Sequence, residues 1–389
     1  MKIKMRIHYK MLAGILTTSV LVFSIAIGYI SIKSQRMAYR SAIENANASA
    51  AEYASKIEAE LNYDMVVVRT LAQAFSDYQT IPNDEWQEVY SKMYHRVYME
   101  NPSFYKLWDS WELNVVDTSW DRPTGRIAVT LGRDDKGTIK SGTQLRSLNG
   151  DPEHYAKVKA SGKEAIWEPY FDVFTFQDET QKFMTTISAP IYSGNHVWTG
   201  IVAIDIIMDE FQDIVSKIKP FETGYAILFS NKGIFVGHPK SELIGKNIVE
   251  VWETQVKEFN ITERISNGER FYIETKDPHT GEDAVAVFIP IAVGKCGTPW
   301  SLSVVVPIDT ILAEANLNFL ISLLVGIFGL MLLSVIIYLI SKNITHPLSK
   351  TTNLLKTLAL GDLNQAEKLD IQTGDEIENM AISVNTLIE

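Results

Sequence analysis

Two uncharged apolar runs set the outer limits of what this chain can fold into. Residues 11–32 (MLAGILTTSVLVFSIAIGYISI) and 319–340 (FLISLLVGIFGLMLLSVIIYLI) contain no Asp, Glu, Lys or Arg. At 1.5 Å of rise per residue, about 20 apolar residues span the hydrocarbon core of a bilayer. A helix apolar all round belongs in a large protein core or in a membrane, and the length of these two favours the membrane. Lys2, Lys4, Arg6 and Lys10 precede the first run, and Lys342 and Lys350 follow the second. The positive-inside rule therefore puts both flanks in the cytoplasm. A cleaved signal peptide is the rival reading of the first run, but the run is too long and no clean small-residue cleavage site follows it. The chain is thus expected to have a cytoplasmic N-terminus (1–10), a span (11–32), a large outer portion (33–318), a second span (319–340) and a cytoplasmic portion (341–389). That is the layout of a transmembrane receptor.

Composition narrows the chemistry. The net charge is −11 over 389 residues, and nucleic-acid binding needs a basic face, so nucleic acid is not an expected partner. Cys296 is the only cysteine, which rules out an internal disulfide and a cysteine-based metal site. The seven histidines form no HExxH pair, and residues 237–246 (GHPKSELIGK) have the wrong spacing for a phosphate-binding loop. No catalytic residue, metal or cofactor is expected.

The outer portion begins with a helical stripe. Ala50, Ala54, Ile57, Leu61, Met65, Val68, Ala72 and Phe75 recur at steps of three and four. Its upper half is expected to pack on a sheet of its own chain, and its lower half is open to use as a dimer seam. Strands follow at residues 104–115, 125–132, 183–192 and 198–207, then a helix at 209–219. A second set comprises a hairpin (225–230 and 234–237), strands at 270–275, 284–291 and 300–306, and a helix from Asp309 into the second span. WTGIVAIDIIMDEF (198–211) and WSLSVVVPIDTIL (300–312) both run from tryptophan through a Val/Ile strand to an aspartate and a helix. Two copies of one sheet unit explain this echo. The fold class is α+β.

The segment IWEPYFD (166–172) suits neither a helix nor a plain strand, because Pro169 breaks the first and cannot donate to the ladder of the second. Together with FMTTISAPIYSGNHVWTGIVAIDI (183–206) it resembles the membrane-distal module of double-Cache sensor domains. GYAILFSNKGIFVGHPKSELIG (224–245) resembles their membrane-proximal module. The resemblance covers most of residues 33–318, with a distal module at about 80–219 and a proximal one at about 220–308. It implies a PAS-like sensor that holds a small ligand, an amine or an amino acid among the candidates, in the distal module. By position it carries over Asp205 as the acid facing a ligand ammonium, Tyr170 and Asp172 on a closing loop, and Tyr155 just before that loop. Trp167 and Trp108 complete the expected ligand-binding set. Trp108 and Trp111 lie on opposite faces of a regular strand, and Trp108 is preferred. An acid with aromatic faces suits an ammonium ion. The arginine–tryptophan–tyrosine clamp of the amino-acid-sensing members is not found. Arg122, Arg126 and Arg133 stand in the wrong company, which counts against an α-amino acid.

After the second span, Ile344, Leu348, Thr351, Leu355 and Leu358, and again Ile377, Ala381, Val384 and Ile388, step by three and four. With Pro347, Gly361-Asp362-Leu363 and Asp375-Glu376-Ile377, residues 341–389 closely resemble a HAMP domain. That implies a homodimer, because two short helices cannot bury such stripes alone. It also implies a bacterial inner-membrane receptor, multi-pass, most naturally for chemotaxis, with a histidine kinase sensor as the alternative. No kinase, methylation, phosphatase or cyclase motif lies within these residues, so a cytoplasmic output unit is expected outside them. Two rivals remain: a membrane-anchored enzyme, for which no nucleophile–base pair is present, and a receptor that docks a protein partner.

Overall fold

The computed structural model describes residues 7–82, 85–134, 136–173, 181–360 and 367–387. The chain divides into two compact units, Tyr39–Ile311 and the remainder, Met1–Ala38 with Leu312–Glu389. Each is described by itself. The architecture is α+β.

Helix α1 (Ile7–Ala74) opens the chain. All eight positions of the expected stripe, from Ala50 to Phe75, are buried against the chain's own residues. The lower half of the stripe is therefore not left open as a dimer seam. Helix α2 (Glu85–Glu100) follows, burying Trp86, Tyr90, Tyr94 and Tyr98 at four-residue steps.

The first sheet holds β1 (Lys106–Glu112), β2 (Arg126–Arg133), β3 (Ile139–Arg146), β4 (Ala165–Ile166), β5 (Tyr170–Val173), β6 (Gln181–Tyr192) and β7 (Trp198–Ile207). Its order is β3-β2-β1-β7-β6-β4, with β5 also on β6. Helices α3 (Leu113–Val116) and α4 (Glu153–Ser161) lie in its connections, and α5 (Asp209–Ser216) leaves β7. Gly200 lets β1 and β7 meet closely, since a Cβ there would stand 2.1 Å from the Ser110 carbonyl oxygen.

The second sheet holds β8 (Tyr225–Phe229), β9 (Phe235–Gly237), β10 (Phe271–Lys276), β11 (Asp283–Ile291) and β12 (Trp300–Pro307) in the order β10-β11-β12-β8-β9. Helices α6 (Ile248–Val251), α7 (Glu253–Phe259) and α8 (Ile261–Ser266) cover it. The sequence echo is two equivalent strands. β7 sits between β1 and β6, and β12 between β11 and β8, and each runs into a helix.

IWEPYFD is not a free loop closing over the sheet. Its two ends are the short strands β4 and β5, both antiparallel to β6. The Trp167 N–H still donates to the Thr186 carbonyl at 2.9 Å. Pro169 occupies the break between the strands, where no ladder donor is required.

In the other unit, α9 (Ile308–Ala359) contains Pro347, and α10 (Glu376–Thr386) is capped by the Asp375 side chain. The Asn385 amide exchanges two hydrogen bonds with the Leu369 backbone, at 2.8 and 2.9 Å. The Gly361-Asp362-Leu363 turn and Ile388 lie outside the described residues. By length and composition, α1 and α9 each carry a segment apolar enough to cross a membrane.

Candidate functional site

The site grows from β1, whose sequence KLWDSWE is buried at every position. Successive strand residues face opposite ways. Lys106, Trp108, Ser110 and Glu112 share one face, and Leu107, Asp109 and Trp111 share the other. A strand buried on both faces is normally a run of aliphatic residues. Charged groups on both faces of this one therefore need partners or a ligand.

On the first face lies a cavity of about 430 Å³. All six residues expected from the sequence line it: Trp108 from β1, Tyr155 from α4, Trp167 and the β5 residues Tyr170 and Asp172, and Asp205 from β7. Trp111 points to the other face, as strand alternation requires. Three basic residues that the sequence reading did not select also line the cavity. They are Lys106, Arg126 and Arg146.

The acids are not waiting bare for a cation. Asp205 is buried, and its Oδ1 accepts from Trp108 Nε1 and from Thr186 Oγ1, each at 2.8 Å. Lys106 Nζ lies 3.6 Å from Asp205 Oδ2 and 3.6 Å from Asp172 Oδ2. Burial pushes the Asp205 carboxyl above the usual range, and Lys106, Trp108 and Thr186 pull it back. Asp205, expected from the resemblance to face a ligand ammonium, thus lines the cavity with a lysine of its own chain already beside it. Asp172 is the more available acid, its side chain half exposed.

The opposite part of the lining is cationic. Arg126 donates to Ser110 at 2.7 Å and to Ser147 at 2.6 Å, pairs with Asp151 at 3.0 Å and lies 3.5 Å from the centre of the Tyr155 ring. Arg146 is its register partner on β3. Burial, and then the charge of Arg126, pull the Arg146 guanidinium below its ordinary value. Among the described residues, no carboxylate lies within ion-pair distance of Arg146. Arg126 had been set aside as being in the wrong company, but it forms part of the lining with Arg146.

Aromatic groups complete the wall. The Tyr170 hydroxyl is 2.7 Å from Thr186 Oγ1, and burial raises it well above its ordinary value. The Tyr155 hydroxyl donates to Glu112 at 2.8 Å, and burial shifts it upward as well. Trp167 Nε1 donates to Ser188 at 3.0 Å, while its ring stacks on His154 at 5.6 Å. The sequence signal for the missed basic residues was a weak one, Lys106 itself, which stands two residues before Trp108 and so on the same strand face.

Known proteins can now be set beside this geometry. PctB, a methyl-accepting chemotaxis protein of Pseudomonas aeruginosa, is 22% identical over 265 residues, covering 67% of this chain and 39% of PctB. McpB, a methyl-accepting chemotaxis protein of Bacillus subtilis, is 22% identical over 268 residues, covering 67% of this chain and 36% of McpB. The chain thus spans well under half the length of these relatives. Among solved structures, the extracellular domain of mmHK1S-Z2, provisionally assigned as a histidine kinase, is 26% identical. It aligns with a TM-score of 0.57 over 71% of this chain and 99% of that one. A family profile described as Cache domain, dCache_1, matches residues 34–315. With nearly three quarters of its length inside that match, the chain belongs to the Cache domain family.

Proposed function

We propose that this chain is the sensing part of a bacterial inner-membrane chemotaxis receptor. In this reading it crosses the membrane at residues 11–32 and 319–340, and its Cache portion faces outward. The first-sheet cavity takes a small ligand that carries a carboxylate and an ammonium, an amino acid by class. The observation that carries this reading is the charge layout of the cavity. Lys106 is neutralised by Asp172 and Asp205, and Arg126 by Asp151. Arg146 is left as the attracting charge, which favours a carboxylate over a plain amine. A bidentate guanidinium–carboxylate pair is among the stronger polar contacts available to a small ligand. The ligand ammonium is then received by Asp172 beside the rings of Tyr170 and Trp167.

Residues 341–389 act as a HAMP domain in a homodimer. Support comes from the helix–connector–helix order, the Asp375 cap, and the exposure of Ile344, Leu348 and Leu355 in the single chain. Ligand binding shifts α9, and the paired helices repack as a two-state element toward a cytoplasmic output unit.

The test uses the full chain in lipid nanodiscs. Midpoints of thermal unfolding are measured against L-amino acids, their decarboxylated amines and their des-amino acids. A native-state ligand raises the midpoint with concentration, following RT ln(1 + [L]/Kd). Amino acids are expected to bind, and Arg146→Ala to weaken them about tenfold or more. Binding confined to amines sinks the carboxylate assignment. No response to any of the three classes moves the weight to a docked protein partner.

A further inference from the structure

The other face of β1 borders a second cavity, of about 220 Å³, between α2 and the β1–β3 side of the first sheet. Its walls are aromatic. Trp86, Tyr90, Tyr94 and Trp111 line it, and none is more than 8% exposed. The Trp86 ring lies 4.6 Å from that of Trp111, and Tyr90 stacks on Trp111 at 6.0 Å.

Asp109 belongs to the same lining and is 2% exposed. Its Oδ1 accepts one backbone N–H, that of Val129, at 2.9 Å. Tyr94 of α2 and Trp111 of its own strand also face the carboxylate. The buried Tyr94 hydroxyl does not reach hydrogen-bond geometry with it and, among the described residues, has no other hydrogen-bond partner. Among the described residues, no basic group is close enough to compensate the charge. Glu88, at the rim, is tied to Lys92 at 2.7 Å on the exposed side of α2.

This differs from the first cavity, where the acids have basic partners. A buried carboxylate without a counter-ion is costly and favours its neutral form. Burial accordingly pushes the Asp109 carboxyl up to about 7. Aromatic faces around one uncompensated acid are the complement of a small ammonium ion. The rings supply cation–π attraction, and the carboxylate supplies the hydrogen-bond acceptor and the charge.

We propose that this cavity is a second binding site, on the opposite sheet face from the first, for a small organic cation. The ligand is a primary or methylated ammonium held against Trp86, Tyr90 and Trp111 with its charge on Asp109. The rim of the cavity is formed by Gln87 and Ser91 of α2 and Thr143 of β3. Its size admits an ion of a few heavy atoms and excludes a peptide. The site does not depend on the amino-acid reading of the first cavity.

The test titrates the full chain in nanodiscs with methylammonium and with tetramethylammonium chloride, at constant ionic strength. Tryptophan fluorescence and calorimetry report binding. Saturable binding is expected at pH 8 and about tenfold or more weakening at pH 5.5, where the carboxyl is protonated. Asp109→Asn is expected to lose it. Thr143→Trp, at an exposed rim position, is expected to lose it as well without touching the acid, and circular dichroism checks that both variants fold. Binding that survives Asp109→Asn but is lost in Asp172→Asn places the cation in the larger cavity and overturns the proposal. No saturable binding by the folded parent chain, or binding indifferent to both Asp109→Asn and Thr143→Trp, overturns it equally.

Discussion

The two sheets share a layout and differ in what fills them. Under the second sheet the interior is solid. Phe229, Phe235, Trp252, Phe271 and Phe288 are all at most 6% exposed, with the Phe271 and Phe288 rings stacked at 4.5 Å. The corresponding space against the first sheet is hollow and charged, with Lys106, Glu112, Arg126 and Asp205 each at most 4% exposed. Paired buried charges are weak contributors to stability but strong determinants of geometry. One architecture therefore serves two ends. The aromatic copy supplies stiffness, and in the proposed reading the charged copy receives the ligand.

The largest expected effect tests the solid half. Phe288 is fully buried, and truncating such a ring in a core costs about 3–5 kcal/mol. Phe288→Ala should lower stability by that order in denaturant unfolding, while the Kd of a first-cavity ligand in the folded protein stays within about threefold. An equal loss of affinity breaks the division of labour between the sheets.

Titration offers a second contrast, nearly as large. Each half buries a titratable group without full compensation, and the two have opposite signs. Asp109 ionises at about 7 when folded, against an ordinary 3.8. The folded state thus holds a proton that the unfolded state has lost. Stability from this group is fully present below pH 4 and is lost as pH rises to about 7. The full effect is about 4 kcal/mol at 1.36 kcal/mol per pKa unit. His238, under the second sheet, is pushed down to about 4 by burial and then by the charge of His279. Its effect runs the other way, with stability lost as pH falls from 6.5 toward 4. Relative to the parent chain, Asp109→Asn should gain stability as pH rises from 4 to 8. His238→Gln should gain as pH falls over the same range. Difference curves of unfolding free energy against pH that slope the same way refute this opposition.

Much of this was legible in the sequence, for physical reasons that also explain the gaps. β7 was read at its observed bounds because TGIVAIDI, buried on both faces, leaves no polar ambiguity. The α1 stripe was legible because each apolar residue returns to one face. β3 was missed because IKSGTQLR is a half-exposed edge strand paired only with β2, with no apolar alternation to mark it. Missing β3 meant missing Arg146, and with it the cationic part of the cavity. The six expected lining residues came from the family resemblance, since nothing in their spacing brings Tyr155, Tyr170 and Asp205 together. α2 escaped because its buried positions are tyrosine and tryptophan, which a hydropathy pattern ranks low. Lys106 escaped because a lysine in a strand usually signals a surface face.

The smallest effect on stability carries the most information about signalling. Trp167 and Tyr170 line the cavity, and Glu168 between them turns away toward the second sheet. Its carboxylate accepts from Ser230 Oγ at 2.5 Å and from the Lys232 N–H at 3.2 Å. Ser230 Oγ in turn accepts the Ile234 N–H at 3.1 Å. The grip therefore reaches the turn between β8 and β9, where Gly233 has φ +78° and an added Cβ would stand 2.7 Å from Ile248. In the proposed reading, a pull on Glu168 is expected to reach this hairpin and, through β8, the central strand β12 that leads into α9. Glu168→Gln keeps the shape and weakens two charge-assisted bonds, at a cost of about 1 kcal/mol. Ligand affinity should change by no more than about threefold. The ligand-dependent change in cysteine crosslinking along residues 344–358 should nevertheless shrink. A variant that binds normally and still shifts its crosslinks in full would show that the hollow and solid halves communicate by another route, with the Arg69–Glu164 contact and its bond to the Lys295 N–H at 3.0 Å next in line.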